Sequence, residues 1–135
     1  MSPWLETVLR FLLAAVLGAA IGYQREWAGK VAGLRTYILV SSGAALFTLV
    51  SIYGFAGAAV DISRVAAGVV VGVGFIGAGV IFRGMSGQGI AGLTTAAAMW
   101  ATAAIGLAAG AGMYLLSVIA TAVTVGVLFL PKVRG

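Results

Sequence analysis

The chain has 135 residues, of which 62% are hydrophobic and only 8% charged, too few polar side chains to coat a soluble domain of this size. It contains no Cys and no His, which excludes disulfides, thiolate metal sites and the commonest general base. The only acids are Glu6, Glu26 and Asp61 against eight Lys and Arg, a formal net charge of +5; in a lipid-facing chain such an excess reports orientation and headgroup contact, not nucleic acid.

A hydrocarbon core takes roughly 20 mostly apolar residues per helix, and five runs qualify: about 5–23, 36–54, 64–82, 92–109 and 112–130. The first is long enough to span although Arg10 before an apolar run has the look of a signal peptide. Trp4 and Trp27 bracket it as interfacial aromatics do. Ala14, Gly18 and Gly22 recur in it every four residues, a packing face. Arg10 lies inside the run, and two readings stand: it snorkels outward, or it meets a polar partner inside the bundle.

The connection QREWAGKVAGLRT, residues 24–36, is the densest polar stretch. Glu26 and Lys30 are spaced i, i+4 for a helix-surface pair, Gly29 and Gly33 permit turns, and Thr36 is placed to cap the second span. Arg25, Lys30 and Arg35 would bind anionic lipid. Before the third span, Asp61 precedes Arg64 by three residues, a cap or a surface ion pair; an alternative is attraction of cations to an outer mouth.

The third span contains a literal G-x-G-x-x-G at Gly72, Gly74 and Gly77. A dinucleotide fingerprint needs a strand before it, a helix opening on it and an acid about 20 residues later. No acid follows Asp61, so no cofactor is expected. At about 100° per residue Gly68, Gly72 and Gly79 share one face, with Gly74 and Gly77 opposite. Two nearly bare faces predict a central helix gripped from both sides; a second reading has it sliding, bending or unwinding at 74–79.

The next connection, RGMSGQGIAGLTT at 83–95, is made supple by Gly84, Gly87, Gly89 and Gly92, with Thr94 or Thr95 placed to cap the fourth span. A helix N-terminus near Arg35 and Arg83 would suit a phosphate or lipid headgroup. In the fourth span Leu93, Trp100 and Leu107 recur every seven residues, a stripe for lipid or a partner subunit. The fifth ends at Pro131, with Lys132 placed to snorkel.

Six cations (Arg25, Lys30, Arg35, Arg83, Lys132 and Arg134) fall on one side and two (Arg10 and Arg64) on the other. This bias predicts an N-terminus outside and a cytoplasmic C-terminus. The fold expected is an all-α membrane bundle of about five transmembrane helices.

Three ordered stretches, GYQREWAGKVAGLRTYILVSSGAALF, DISRVAAGVVVGVGFIGAGVIFR and GLTTAAAMWATAAIGLAAGAGMY, resemble the MgtC/SapB family of bacterial membrane proteins. The resemblance covers about residues 10–115. It implies a small inner-membrane protein with about five spans and a cytoplasmic C-terminus, linked to magnesium limitation and, in pathogens, to survival inside host cells. It carries the family's motif residues onto Arg25 and Glu26, the run 32–36 with Gly33, Arg35 and Thr36, Asp61 and Arg64, the run 74–83, and the run 92–95 with Gly92, Thr94 and Thr95. Many members carry a further soluble domain; residues 1–135 are expected to form the membrane domain alone.

Three function classes follow. A non-enzymatic regulator would work through anionic lipid, a homodimer or another membrane protein. A small transporter or channel would carry magnesium by the family's label, or an anion by charge; magnesium prefers an octahedron of oxygens, commonly carboxylates, and no carboxylate lies inside a predicted run beyond Glu6 at its edge. An enzyme lacks the residues for the usual catalytic constellations.

Overall fold

The computed structural model describes residues 3–30, 32–55, 61–88 and 92–130, and the side chains of all of these but 83–88. It is helical: α1 (Pro3–Trp27), α2 (Leu34–Tyr53), α3 (Ser63–Gln88), α4 (Leu93–Gly110) and α5 (Tyr114–Leu128). Four stretches, Pro3–Trp27, Leu34–Tyr53, Ser63–Phe82 and Leu93–Gly110, are long and apolar enough to cross a membrane. The chain is a helical membrane protein. At 1.5 Å per residue, the 15 residues of α5 rise about 22 Å, shorter than the predicted run 112–130.

The helix ends follow from local chemistry. Pro3 opens α1, where a missing N–H costs nothing. Gly29, at φ +73°, closes it: the Lys30 N–H reaches the Arg25 carbonyl and the Gly29 N–H the Glu26 carbonyl, each at 3.0 Å, the paired bonds of a Schellman stop. Gly112, at φ +88°, ends α4 the same way through Met113 N–H to Ala108 O and Gly112 N–H to Ala109 O. Asp61 Oδ1 accepts from the Ser63 N–H at 3.0 Å and from Ser63 Oγ at 2.7 Å, capping α3.

The bundle is built around α4, which packs against α1, α2, α3 and α5; ten of its eighteen residues are buried. Sequence reasoning put the third span at the centre, and the structure corrects this. In α3 only Val69 and Gly77 are buried among the described side chains, and among the described helices α3 packs on α4 and α2 alone. A bare helix face permits close approach without saying which helix uses it. The seams that use small residues lie elsewhere. A Cβ on Gly18 would stand 2.5 Å from the Tyr37 carbonyl oxygen, and one on Gly22 2.8 Å from the Leu34 Cα. Gly106 abuts the Ser41 backbone, and a Cβ on Gly110 would stand 2.8 Å from the Ala45 carbonyl. So α2 is gripped by α1 on one side and α4 on the other.

Among the predicted packing glycines of α3, only Gly77 meets a neighbour, with the Ala96 Cβ 3.3 Å from where its own would be; Gly68, Gly72, Gly74 and Gly79 face open space. The helix is continuous through 74–79, as the packed-helix reading has it and against the alternative of unwinding, and it runs on to Gln88 where a loop was expected from 83. Glycine costs a helix only about 1 kcal/mol, and no proline interrupts the run. Gly89 and residues 131–135, which include Pro131, Lys132 and Arg134, lie outside the described residues. Of the α4 stripe, Leu93 and Trp100 are exposed, 55% and 58%, but Leu107 packs on the cluster of Ala44, Val69 and Ala103; α3 covers that end of the stripe.

Polar side chains inside the bundle are returned to the backbone. Thr48, Thr102 and Thr121 each donate to the carbonyl four residues earlier, as a medium without water requires. Ser41 Oγ instead crosses from α2 to the Ala14 carbonyl of α1 at 2.7 Å.

Candidate functional site

Polar chemistry gathers at the two rims of the bundle. At the rim where α1 begins, Arg10 is the hub. Its Nη1 donates to the Gly110 carbonyl at the end of α4 at 3.1 Å, its Nε to Tyr114 Oη on α5 at 3.3 Å, and its Nη2 pairs with Glu6 Oε1 at 3.3 Å. Tyr114 Oη also donates to Glu6 Oε1, and the guanidinium carbon sits 5.9 Å from the Tyr53 ring centroid. Of the two readings open for Arg10, the structure has the inward one: a cation on the negative end of the α4 dipole. Gly112 is pressed against it, since a Cβ there would lie 3.0 Å from the guanidinium carbon.

The opposite rim, where α1 ends and α2 and α4 begin, holds Arg25. It is 3% exposed. Its Nη2 donates to Thr95 Oγ1 at 2.6 Å, and Tyr37 Oη, on a side chain with no exposure, donates to the Thr95 carbonyl at 3.4 Å. Arg25 Nε has no hydrogen-bond partner although it is buried. Gln24 turns the other way, donating through Nε2 to the Leu128 carbonyl of α5 at 3.4 Å, and leaves its buried Oε1 without a partner. Three helices thus meet on Thr95.

Several roles read from the sequence are reassigned. Glu26 does not pair with Lys30. Its Oε1 accepts the Leu34 N–H at 3.1 Å, and α1 has already ended at Trp27, so Lys30 shares no helix face with it. That bond caps α2 from the previous helix, in place of Thr36; Gly33 is the N-cap, and a Cβ there would stand 2.6 Å from the same Glu26 oxygen. Neither Thr94 nor Thr95 caps α4, whose N-cap is Gly92 at φ +95° with no side-chain cap bond. Thr94 is exposed and Thr95 is taken by Arg25. Arg35, Lys30 and Arg64 are exposed. Among the described residues Arg10–Glu6 is the one ion pair, so Asp61 acts as a cap, not as a partner of Arg64. The Arg83 side chain lies outside the described residues. The structure therefore brings together Arg25, Thr95 and Tyr37 where the sequence pointed to Arg35, Arg83 and Thr94. Tyr37 was missed outright. Gly106 and Gly110 were missed as well, although their four-residue spacing repeats that of Gly18 and Gly22.

A buried Arg25 at one rim, Arg10 tying helix ends at the other, and glycine seams between α1, α2 and α4 define a small polytopic membrane protein, with no group of three or more His, Cys, Asp or Glu able to hold a metal ion among the described residues. Its sequence places it more narrowly: a profile of the MgtC family matches residues 11–134, and the chain belongs to that family. It is 50% identical over 129 residues to a protein of Escherichia coli named putative magnesium transporter YhiD, covering 91% of this chain and 59% of that one. It is 44% identical over 128 residues to protein SrpB of Synechococcus elongatus, covering 87% of this chain and 70% of the relative. To protein MgtC of Salmonella typhimurium it is 45% identical over 107 residues, 79% of this chain and 44% of the relative. The chain thus spans about three fifths or less of YhiD and MgtC. No solved structure matches it at a significant level.

Proposed function

We propose that this chain is a non-enzymatic regulator in the bacterial inner membrane, linked to magnesium adaptation and acting through lipid or membrane-protein contacts. The magnesium link is supported by the family and by the name that YhiD carries. The observation that weighs most for regulation over cation transport is the placement of the carboxylates. The sequence has three, and each is engaged at a helix end: Glu6 with Arg10, Glu26 with the Leu34 N–H, Asp61 with Ser63. The charge buried in the bundle is Arg25, a cation. A dehydrated Mg²⁺ path would need an octahedron of oxygens in a region of positive charge. The exposed flank of α3, with Gly68 and Gly72 opening on a groove of about 580 Å³ shared with Gly43 of α2, offers a surface for another helix. In this reading the N-terminus faces outward, the C-terminus lies in the cytoplasm and residues 1–135 form one membrane domain.

The alternative is a small ion transporter or channel, for magnesium by the name of YhiD or for an anion by the distribution of arginines. Flux into liposomes separates the two. Purified protein that leaves vesicles sealed to Mg²⁺ and to anions, while retaining a specific membrane-protein partner on purification, supports regulation. Ion flux above that of empty vesicles, lost in Arg25→Gln, overturns it.

A further inference from the structure

We infer that Arg25, Thr95 and the first turn of α4 form a binding site for a phosphate-type oxyanion. The guanidinium is all but withdrawn from solvent, at 3% exposure, with Nη2 held on Thr95 Oγ1 and Nε unpartnered. A buried cation without a counter-charge is costly; natural structures pair it or let it ligate something. None of the three side-chain carboxylates, all among the described residues, is free to serve. Glu6 is committed to Arg10 at the other rim, Glu26 caps α2, and Asp61 caps α3. No side-chain carboxylate among the described residues neutralises Arg25, which leaves the guanidinium available to an anionic ligand.

The second feature is the start of α4. This eighteen-residue helix begins on Gly92 with no side-chain cap, so the amides of its first turn lack the acceptor that a Ser, Thr or Asp would provide. The two residues positioned to cap it are otherwise disposed: Thr95 Oγ1 accepts from Arg25 and Thr94 is exposed. A helix N-terminus is positive and accepts oxyanions readily, and here a buried arginine is bonded to the same turn. Tyr37 Oη, on the Thr95 carbonyl, fixes that turn from α2. Gln24 faces α5 through Leu128 and takes no part. Phosphate oxygens match a guanidinium in charge and geometry. They could be those of a lipid headgroup or of free phosphate, and the chemistry of recognition is common to both. The inference holds whether or not the chain conducts ions.

The test uses the full chain in neutral detergent titrated with inorganic phosphate, and in nanodiscs of phosphatidylcholine with and without phosphatidylglycerol, at constant ionic strength. Binding is read from the thermal midpoint and from calorimetry. Stabilisation by phosphate in detergent identifies the free ion. Stabilisation by phosphatidylglycerol alone identifies a headgroup. In either case Arg25→Gln loses at least about tenfold in affinity, the size of a lost charge-assisted hydrogen bond, while Arg64→Gln, which removes an exposed cation at the opposite rim, binds as the parent does. Thr95→Val is the second variant, since it releases the guanidinium without touching its charge; it also weakens binding. Absence of stabilisation in both media, or equal stabilisation of parent, Arg25→Gln and Thr95→Val, overturns the inference.

Discussion

Gly106 of α4 lies against the backbone of Ser41 of α2 so closely that a Cβ would stand 2.9 Å from the Ser41 Cα and overlap its carbonyl oxygen. Gly18 of α1 meets the same residue, its Cβ position 2.8 Å from the Ser41 Cβ. In lipid there is no hydrophobic drive between helices, so such close approach is itself the cohesive force. Gly106→Val should therefore cost about 3 kcal/mol, the upper end for an overpacked core, because the obstacle is backbone and cannot rotate away. Gly43→Ala, with open space above it, should be neutral or stabilise by up to about 1 kcal/mol through helix propensity. Reversible unfolding in detergent measures both. Equal effects at the two positions would refute this account of the seams.

Much of this architecture could be read in the sequence, for identifiable reasons. Five apolar runs became five helices, since length and hydropathy decide what lipid accepts. The turn expected at Gly29 needs only a residue at ease with positive φ, whereas Gly112, which the sequence puts at the head of the fifth run, ends α4 instead. What stayed hidden was partner choice. Gly68 and Gly72 have the same four-residue spacing as Gly18 and Gly22, yet only the latter pair is filled in the bundle. In the sequence Arg25 is one of three cations on a polar connection, with Lys30 and Arg35, that read together as contacts to anionic lipid. Nothing along the chain shows that α4 brings Thr95 over it.

The Arg10 cluster ties the start of α1 to the end of α4 and the start of α5. Arg10→Gln removes the cation that serves the Gly110 carbonyl and Tyr114 together, and should lower stability by about 1.5–3 kcal/mol, as for hydrogen bonds to charged groups. Glu6→Gln should cost less than about 1 kcal/mol, because the Glu6 side chain is 42% exposed and such pairs are weak. Urea or detergent titration of both variants checks the ranking; a larger loss from Glu6→Gln would mean that the ion pair, not the helix-end contact, is the stabilising element.

Glu26 caps α2 across a turn, and Lys30 is not its partner. Glu26→Ala should cost about 1 kcal/mol, typical of a lost N-cap, with faster hydrogen exchange at Leu34 and the amides that follow. Lys30→Ala should leave both quantities unchanged. A matching loss in the Lys30 variant would show that the charge pair expected from the sequence forms after all.

The groove between α2 and α3 bears on how the molecule associates. Gly18 with Gly22 and Gly106 with Gly110 are both closed by α2, whereas Gly68 and Gly72 open on the groove with no atom within 4 Å of where a Cβ would be. Around them Leu39, Phe47, Val65 and Ile76 form an apolar lining. If a second helix, from another copy or from a different membrane protein, docks there, the bare backbone of α3 is what lets it come close. The chain has no cysteine, so Gly68→Cys introduces a single thiol where the fold has room for it. In native membranes this variant should cross-link to its neighbour, and Gly72→Leu in the same background should reduce the yield severalfold by filling the groove. Leu115→Cys, on an exposed position of α5 (73%), supplies the control for random collision. Cross-linking at Gly68 no greater than at Leu115, or indifferent to Gly72→Leu, would mean that no second copy of this chain docks on this face.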